Sequence, residues 1–392
     1  MTTPAANLAA DPRGLPLPLA VRLDELGPLA APIAEHGGQA RAIHPLERHP
    51  GWLAKLYRQP RPADDARRLD LLLSAPGSLP AEDRSALYAA TCWPAARIFS
   101  PENATVGCVI PVAPEEFRHE LRLGAQRERR FVEIDWLAKP DESIERRGLA
   151  APGQQGRLLA CTRLTAVAAL LESMGLVYSD WSYSNAFWNP QSQAVYLIDV
   201  DGCQPEKTAD IHQPNWADPL TSVGVDADRY TDRYRIALMT ARCLTGQRDA
   251  RALHGAAGPW PAQSALGEVL LDMLCAADRD RRPSAAQLHL ALAGGPYVRP
   301  VPRPTRLPLP PLPQPAPSVR LPQPLRSPQP QKRKTKVPAT TAPGGKPATA
   351  APGRRNTSKN AAKTEQKQRV EALIGLLAVA ALIILLATIS TH

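Results

Sequence analysis

The chain has 392 residues, 43 prolines and a formal net charge of +10, but neither the prolines nor the charges are spread evenly. Residues 301–369 hold 15 Lys and Arg against one acidic residue, and once Glu371 is counted residues 1–300 are left at about −3. The basic balance therefore belongs to a tail and excludes a nucleic-acid interface argued from net charge. Six scattered cysteines (Cys92, Cys108, Cys161, Cys203, Cys243, Cys275) form no C-x-x-C pair. This argues against a zinc site or a disulfide framework and fits small apolar core residues kept reduced.

The first twenty residues lack the charged start and long apolar run of a secretory signal, and residues 1–19 read as a flexible N-terminus. Ala34 to Ile43 reads as strand, turn, strand; Gly37 and Gly38 let backbone N–H groups approach a phosphate, although such a pair also suits any hairpin turn. Trp52-Leu-Ala-Lys-Leu-Tyr57 reads as an apolar strand interrupted by Lys55. A lysine there is costly unless its ammonium meets an anion; the alternative is an edge strand with the lysine in solvent. Ala63 to Leu73 has helical composition and carries Asp64, Asp65 and Asp70.

The most informative stretch is Val177 to Gly202. Asp180 is followed five residues later by Asn185, then by a turn, by Val195-Tyr-Leu-Ile198 as a buried strand, and by Asp199. Phosphoryl transfer needs alignment and charge neutralisation more than covalent chemistry. One aspartate to orient and deprotonate an acceptor hydroxyl, and two oxygen ligands for magnesium, supply both. Each half alone would pass for a polar loop or a strand end; their order carries the reading.

From Pro300 to Gln368 the chain is rich in Pro, Ala and Lys/Arg with almost no large apolar residue after Leu325, so it is expected to be disordered or polyproline-like. Its run Leu307 to Pro313 suits the aromatic-lined groove of a partner or serves as a stiff spacer. The cluster Lys332, Arg333, Lys334 and Lys336 suits anionic lipid heads or a solvated linker. Ala372 to Ile389 is charge-free and nearly all aliphatic, and as a helix it would reach about 27 Å, enough to span a bilayer once. Lys363, Lys367 and Arg369 precede it, which places the globular part in the cytoplasm.

Taken together, several segments resemble the bacterial eukaryotic-like (Hanks-type) serine/threonine protein kinases, in particular a divergent branch of them. They are Gly37-Gly38, Ala54-Lys55-Leu-Tyr57, Cys92-Trp93-Pro94, Val106-Gly-Cys-Val-Ile-Pro111, Tyr178-Ser-Asp180 to Asn185, and Leu197-Ile-Asp199. Downstream, Pro214-Asn-Trp-Ala-Asp-Pro219, Asp232 to Leu238 with Leu244-Thr-Gly246, and Arg281-Arg-Pro283 extend the similarity over about residues 20–297. The resemblance implies an α+β, bilobal protein-kinase-like fold, with a small β-rich N-lobe and a larger, mainly helical C-lobe.

It further implies ATP and Mg2+ as cofactors and a protein substrate. Asp180 would be the base and Lys55 the phosphate clamp; Gly37, Gly38, Ile110 and Val112 would contact the nucleotide. Asn185 and Asp199 would be the metal ligands, while Asp70 would orient Lys55, Asp232 brace the catalytic loop and Arg282 support the segment around Trp216. Ser179 stands where such kinases have an arginine, which argues against control by activation-loop phosphorylation. Ser182 stands where a lysine is usual and leaves the acceptor class open. The magnesium motif reads Asp199-Val-Asp201, with its glycine one place late, and helix 63–73 offers aspartates where a glutamate is usual.

The expected organisation is a flexible N-terminus (1–19), a kinase-like domain (20–297), a Pro-rich basic linker (298–369) and a transmembrane helix (370–390) in the bacterial inner (cytoplasmic) membrane. The expected function is a membrane-anchored serine/threonine kinase. The alternative is a pseudokinase scaffold that binds nucleotide or a partner without efficient transfer.

Overall fold

The computed structural model describes residues 13–313 apart from 36–39, 62, 209–214, 223, 259, 261–262, 264 and 300–304. Its N-terminal half is built on the strands β1 (Ala20–Arg22), β2 (Ala34–Glu35), β3 (Ala40–Pro45) and β4 (Trp52–Arg61). Helices α1 (Ala63–Ser74) and α2 (Ala81–Ala90) follow, then β5 (Ala96–Phe99) and β6 (Thr105–Pro111). The six strands make one sheet in the order β1-β5-β6-β4-β3-β2. All its pairs are antiparallel except β1 with β5.

Side chains alternate faces along a strand, and β4 uses both. Ala54 and Leu56 join Leu15, Val21, Leu26, Ile98 and Val109 in a small apolar cluster on one face. Leu53 and Tyr57 face the other way into the main core, and Lys55 lies between them at the same parity. Gly107 of β6 opposes Leu56, and a Cβ built there would sit 2.3 Å from the Lys55 carbonyl oxygen. Glycine is therefore what lets β6 lie close beneath the lysine-bearing strand.

Beyond a hairpin of β7 (Arg118–Leu123) and β8 (Gln126–Phe131), the chain becomes mainly helical: α3 (Asp141–Glu145) and α4 (Gly153–Ser173) come first. Short strands β9 (Leu176–Val177), β10 (Ala186–Trp188), β11 (Val195–Leu197), β12 (Gln204–Pro205), β13 (Lys207–Thr208) and β14 (Ala227–Asp228) separate them from α5 (Arg229–Thr245). Helices α6 (Ala250–Ala256), α7 (Leu266–Cys275) and α8 (Ala285–Leu292) complete the lobe. Every residue of α5 from Tyr234 to Leu244 is buried, so this is a central helix wrapped by α4, α6, α7 and α8. Asp228 caps its start by accepting from the amides of Tyr230 and Thr231, and Gly246 ends it in a left-handed conformation. A β-sheet lobe followed by a helical lobe is the kinase-like architecture expected from the sequence.

Two boundaries differ from expectation. Residues 13–19, read as flexible, hold the sheet: Leu15 is fully buried. Arg13 donates to the carbonyls of Trp93 and Pro94 at 2.6 and 3.1 Å and lies over the rings of Trp52 and Tyr88. The start of the Pro-rich segment, read as linker, docks on the helical lobe. Arg306 pairs with Asp272 and Glu268, the Leu307 amide donates to the Cys275 carbonyl at 2.6 Å, and Leu309 packs on the core. Composition argues for disorder, but a few specific anchors override it. All six cysteines are buried free thiols. Among the described residues no helix is long and apolar enough to cross a membrane. The expected span at 370–390 and the basic cluster Lys332–Lys336 lie outside the described residues.

Replacing Gly107 with alanine forces the two strands apart and should cost about 1–3 kcal/mol. The measurement is the urea midpoint, which falls while the slope of the transition stays unchanged.

Candidate active site

The site is assembled around one buried ammonium. Lys55, 6% exposed, donates to Asp201 Oδ1 at 2.7 Å and to Asp199 Oδ1 at 3.1 Å. Asp201 is almost fully buried and spends its second oxygen on the Tyr57 hydroxyl, 3.1 Å away. The Asp199 side chain is 48% exposed, so the pair has an inner and an outer carboxylate. Burial alone would lower the lysine, but the charges of Asp201 and Asp199 outweigh it and raise Lys55 above its ordinary value. Burial would likewise raise Asp201, and Lys55 holds it below the usual carboxylate range. The turn that aims both carboxylates at one cation begins with Asp199 in a left-handed conformation at φ 59° and continues as a 3-10 turn, Val200–Gly202.

Beside it runs the loop Tyr178–Asn185. The Tyr178 hydroxyl donates to the Ile198 carbonyl at 2.7 Å, next to Asp199. The Asn185 side-chain amide donates to the Asp180 carbonyl at 2.9 Å, and the Ile198 amide returns a bond to the Asn185 carbonyl at 2.9 Å. Burial pushes the Asp180 carboxyl up to about 6; a hydrogen bond from Asn185 opposes this and the Asp199 charge adds to it. The two bonds to Ile198 tie the loop to the chain between β11 and Asp199, and the Asn185–Asp180 bond braces the loop internally.

The loop is strained and held from below. Ser179 has φ 57°, a left-handed conformation unusual for a non-glycine residue. Asp232 of α5 accepts from the Tyr178 and Ser179 amides at 2.7 and 2.8 Å, and burial pushes its carboxyl up to about 7. Arg235, one turn on, donates to the Ser179 carbonyl and, at 3.2 Å, to the Trp216 carbonyl. Arg242 lies over the Trp216 ring, 4.6 Å from its centroid. Arg282 grips Asp218 through both carboxylate oxygens at 2.6 and 2.7 Å with no exposure on either side chain, and also donates to the Tyr230 carbonyl. Burial would raise Asp218, and Arg282 outweighs it, so the carboxyl sits below its usual range.

Of the residues singled out by sequence, Lys55 and Asp199 meet directly, Asn185 reaches the backbone of Asp180, and Asp180 lies within electrostatic reach of Lys55 and Asp199. Asp232 and Arg282 touch the segments they were expected to support. Asp70 does not reach Lys55: it pairs with Arg97 at 2.8 Å, because its place on α1 faces β5. Ile110 is buried in the core. Val112 is 44% exposed, and its amide is taken by the Gly51 carbonyl at 2.9 Å, so that N–H is not on offer to a base. Gly37, Gly38 and the side chains of Asp64 and Asp65 lie outside the described residues. Sequence reasoning passed over Asp201 and Arg235. The signal for Asp201 was its carboxylate at the usual glycine position.

No protein-family model matches the chain, and no curated protein matches it. Among solved structures it is similar to the BubR1 kinase domain, with a TM-score of 0.44 and 13% identity over 66% of this chain and 77% of that one. It is also similar to the ROP18 kinase domain in complex with AMP-PNP and sucrose, with a TM-score of 0.41 and 14% identity over 68% and 78%. The roles of individual residues therefore rest on this chain's own geometry.

No group of three His, Cys, Asp or Glu side chains able to hold a metal occurs among the described residues. The half-exposed Asp199 carboxylate and the Asn185 side-chain amide oxygen fit a hard cation that draws its other ligands from phosphates and water, as magnesium does. In the metal-free protein, Asp180 should titrate near pH 6 by carboxyl 13C shifts. Asp199→Asn removes a like charge that raises it, so the midpoint moves lower.

Proposed function

We propose that the chain is a membrane-anchored kinase that uses ATP and Mg2+ to transfer the γ-phosphoryl group to a protein Ser/Thr hydroxyl. The observation that carries this reading is the convergence of Lys55, 144 residues away in sequence, on Asp199, beside a loop that presents Asp180 and Asn185. Lys55 binds the nucleotide phosphates. Asn185 and Asp199 would hold the magnesium, which when bound would supply neutralisation of phosphate charge. Asp180 receives the proton of the attacking hydroxyl, and its raised carboxyl suits it to do so near neutral pH.

The acceptor follows from the sequence resemblance. Ser182, buried and bonded to the Ser184 hydroxyl, brings no cation to the γ-phosphate, so substrate contacts outside this loop must place the acceptor. Anchoring rests on the apolar segment 370–390 and the cytoplasmic placement on the basic residues before it. A second reading, a scaffold that binds nucleotide or a partner without transfer, is favoured by the engagement of Lys55 with two carboxylates and of the Val112 amide with Gly51.

Purified full-length protein with labelled ATP decides between them. Magnesium-dependent labelling that Asp180→Asn reduces by about 100-fold or more is expected for loss of a general base. Equal labelling in that variant contradicts the catalytic role, and nucleotide binding with no labelling in the wild type supports the scaffold.

A further inference from the structure

We infer that Asp201 is the positioning residue for Lys55, so that the lysine is set from the turn after β11 and not from helix α1. This rests on the proposed reading of the site and adds to it a residue and a mode of regulation. A lysine that clamps phosphates needs an anion to hold its long, flexible stem in one rotamer. Asp70, on the helix expected to supply that anion, is half-exposed and committed to Arg97. Lys55 instead has two carboxylate partners among the described residues, Asp199 and Asp201.

The two differ in what else they can do. Asp199 is half-exposed and has the open side that a metal ion would need, so it is the carboxylate that would turn from the ammonium if magnesium bound. Asp201 is 3% exposed, makes the shorter contact, and has both oxygens used, one by Lys55 and one by Tyr57. Tyr57 lies two residues along the same strand and the same face as Lys55, so β4 and Asp201 form a closed clip. Were Asp199 to turn to a metal, the clip of Lys55, Asp201 and Tyr57 would still hold the lysine.

The regulatory consequence follows from which elements carry the clip. Lys55 and Tyr57 belong to β4, and Asp201 belongs to the segment that also bears Asp199. Among the described residues no side chain of α1 joins the clip, so a shift of α1 is not expected to unseat the lysine. Control of this site by swinging a helix carboxylate in and out is replaced by a permanently set lysine.

The test is a double-mutant cycle on the full-length protein: wild type, Lys55→Met, Asp201→Asn and the double variant, with Asp70→Asn alongside. ATP affinity is measured by calorimetry, and the initial rate of transfer is measured where transfer occurs. Loss of a hydrogen bond to a buried charge predicts that Asp201→Asn weakens ATP binding by about tenfold or more. Because Asp201 acts through Lys55, the double variant should be no weaker than Lys55→Met alone, and Asp70→Asn should stay within about twofold of wild type.

Losses that multiply in the double variant, or a loss in Asp70→Asn equal to that in Asp201→Asn, would overturn the inference. Asp201→Glu, which keeps the charge, should recover part of the affinity. If Asp201→Asn and Asp201→Glu lose affinity equally along with their native circular dichroism, Asp201 is structural and the inference fails. ATP binding by a wild type that transfers nothing would sink the proposed reaction while the affinity cycle still decides the role of Asp201. Intact transfer with multiplying losses would sink the role of Asp201 alone.

Discussion

An ammonium buried on the face of a β-sheet is the constraint on which the rest of this site depends. Desolvating a lysine is costly unless a paired, hydrogen-bonded anion compensates it, and Lys55 has two. Their position dictates much else. The chain must reverse just after β11 with a left-handed residue at Asp199, strand β6 must approach closely enough to need Gly107, and Tyr57 must complete the coordination of Asp201. The ion cluster is thus a junction between the sheet lobe and the loops of the helical lobe. Removing Lys55 would leave the buried Asp201 carboxylate without its cation.

The second anchor is α5. It is buried without a break from Tyr234 to Leu244, and it carries the groups that shape the loops above it. Asp232 takes the two amides that a left-handed Ser179 exposes, and Arg235 takes the Ser179 and Trp216 carbonyls. Arg282 then fixes the Trp216 segment through Asp218. A buried bidentate pair of this kind adds little net stability, but losing one partner costs about 3–5 kcal/mol. What it does is specify the path of the chain. Strain at Ser179 is held by these contacts, which is how a loop can present Asp180 at a fixed height beside Asp199.

Much of this was legible in the sequence because the bonds concerned run between residues whose order along the chain is distinctive. Lys55 in an apolar strand, Asp180 and Asn185 in one loop, Asp199 after a buried strand, Asp232 in a helix and Arg282 near the end of the fold could all be placed. Asp201 could not, since Asp-Val-Asp reads as a polar turn until burial shows which carboxylate faces inward. Asp70 misled because helical periodicity says which residues share a face but not which strand that face meets; it met β5 and Arg97. Composition marked residues 13–19 and 305–313 as flexible, yet an arginine in each place anchors the segment, helped by buried Leu15 in the first and by part-buried Leu309 and the Leu307 amide in the second. Helix α2, packed on α4 and β11, had no signal strong enough to be read.

The proposed reaction requires that nucleotide and magnesium bind together, with the metal expected on Asn185 and Asp199 and the phosphates on Lys55. The most direct measurement is the ATP affinity of the full-length protein by calorimetry with and without Mg2+, in the wild type and in Asp199→Asn. The account predicts binding that strengthens by about tenfold or more with the metal, as expected for an ion shared between carboxylate and phosphate, and a loss of that dependence in the variant. Equal affinity with and without Mg2+, or an unchanged metal dependence in Asp199→Asn, would contradict it.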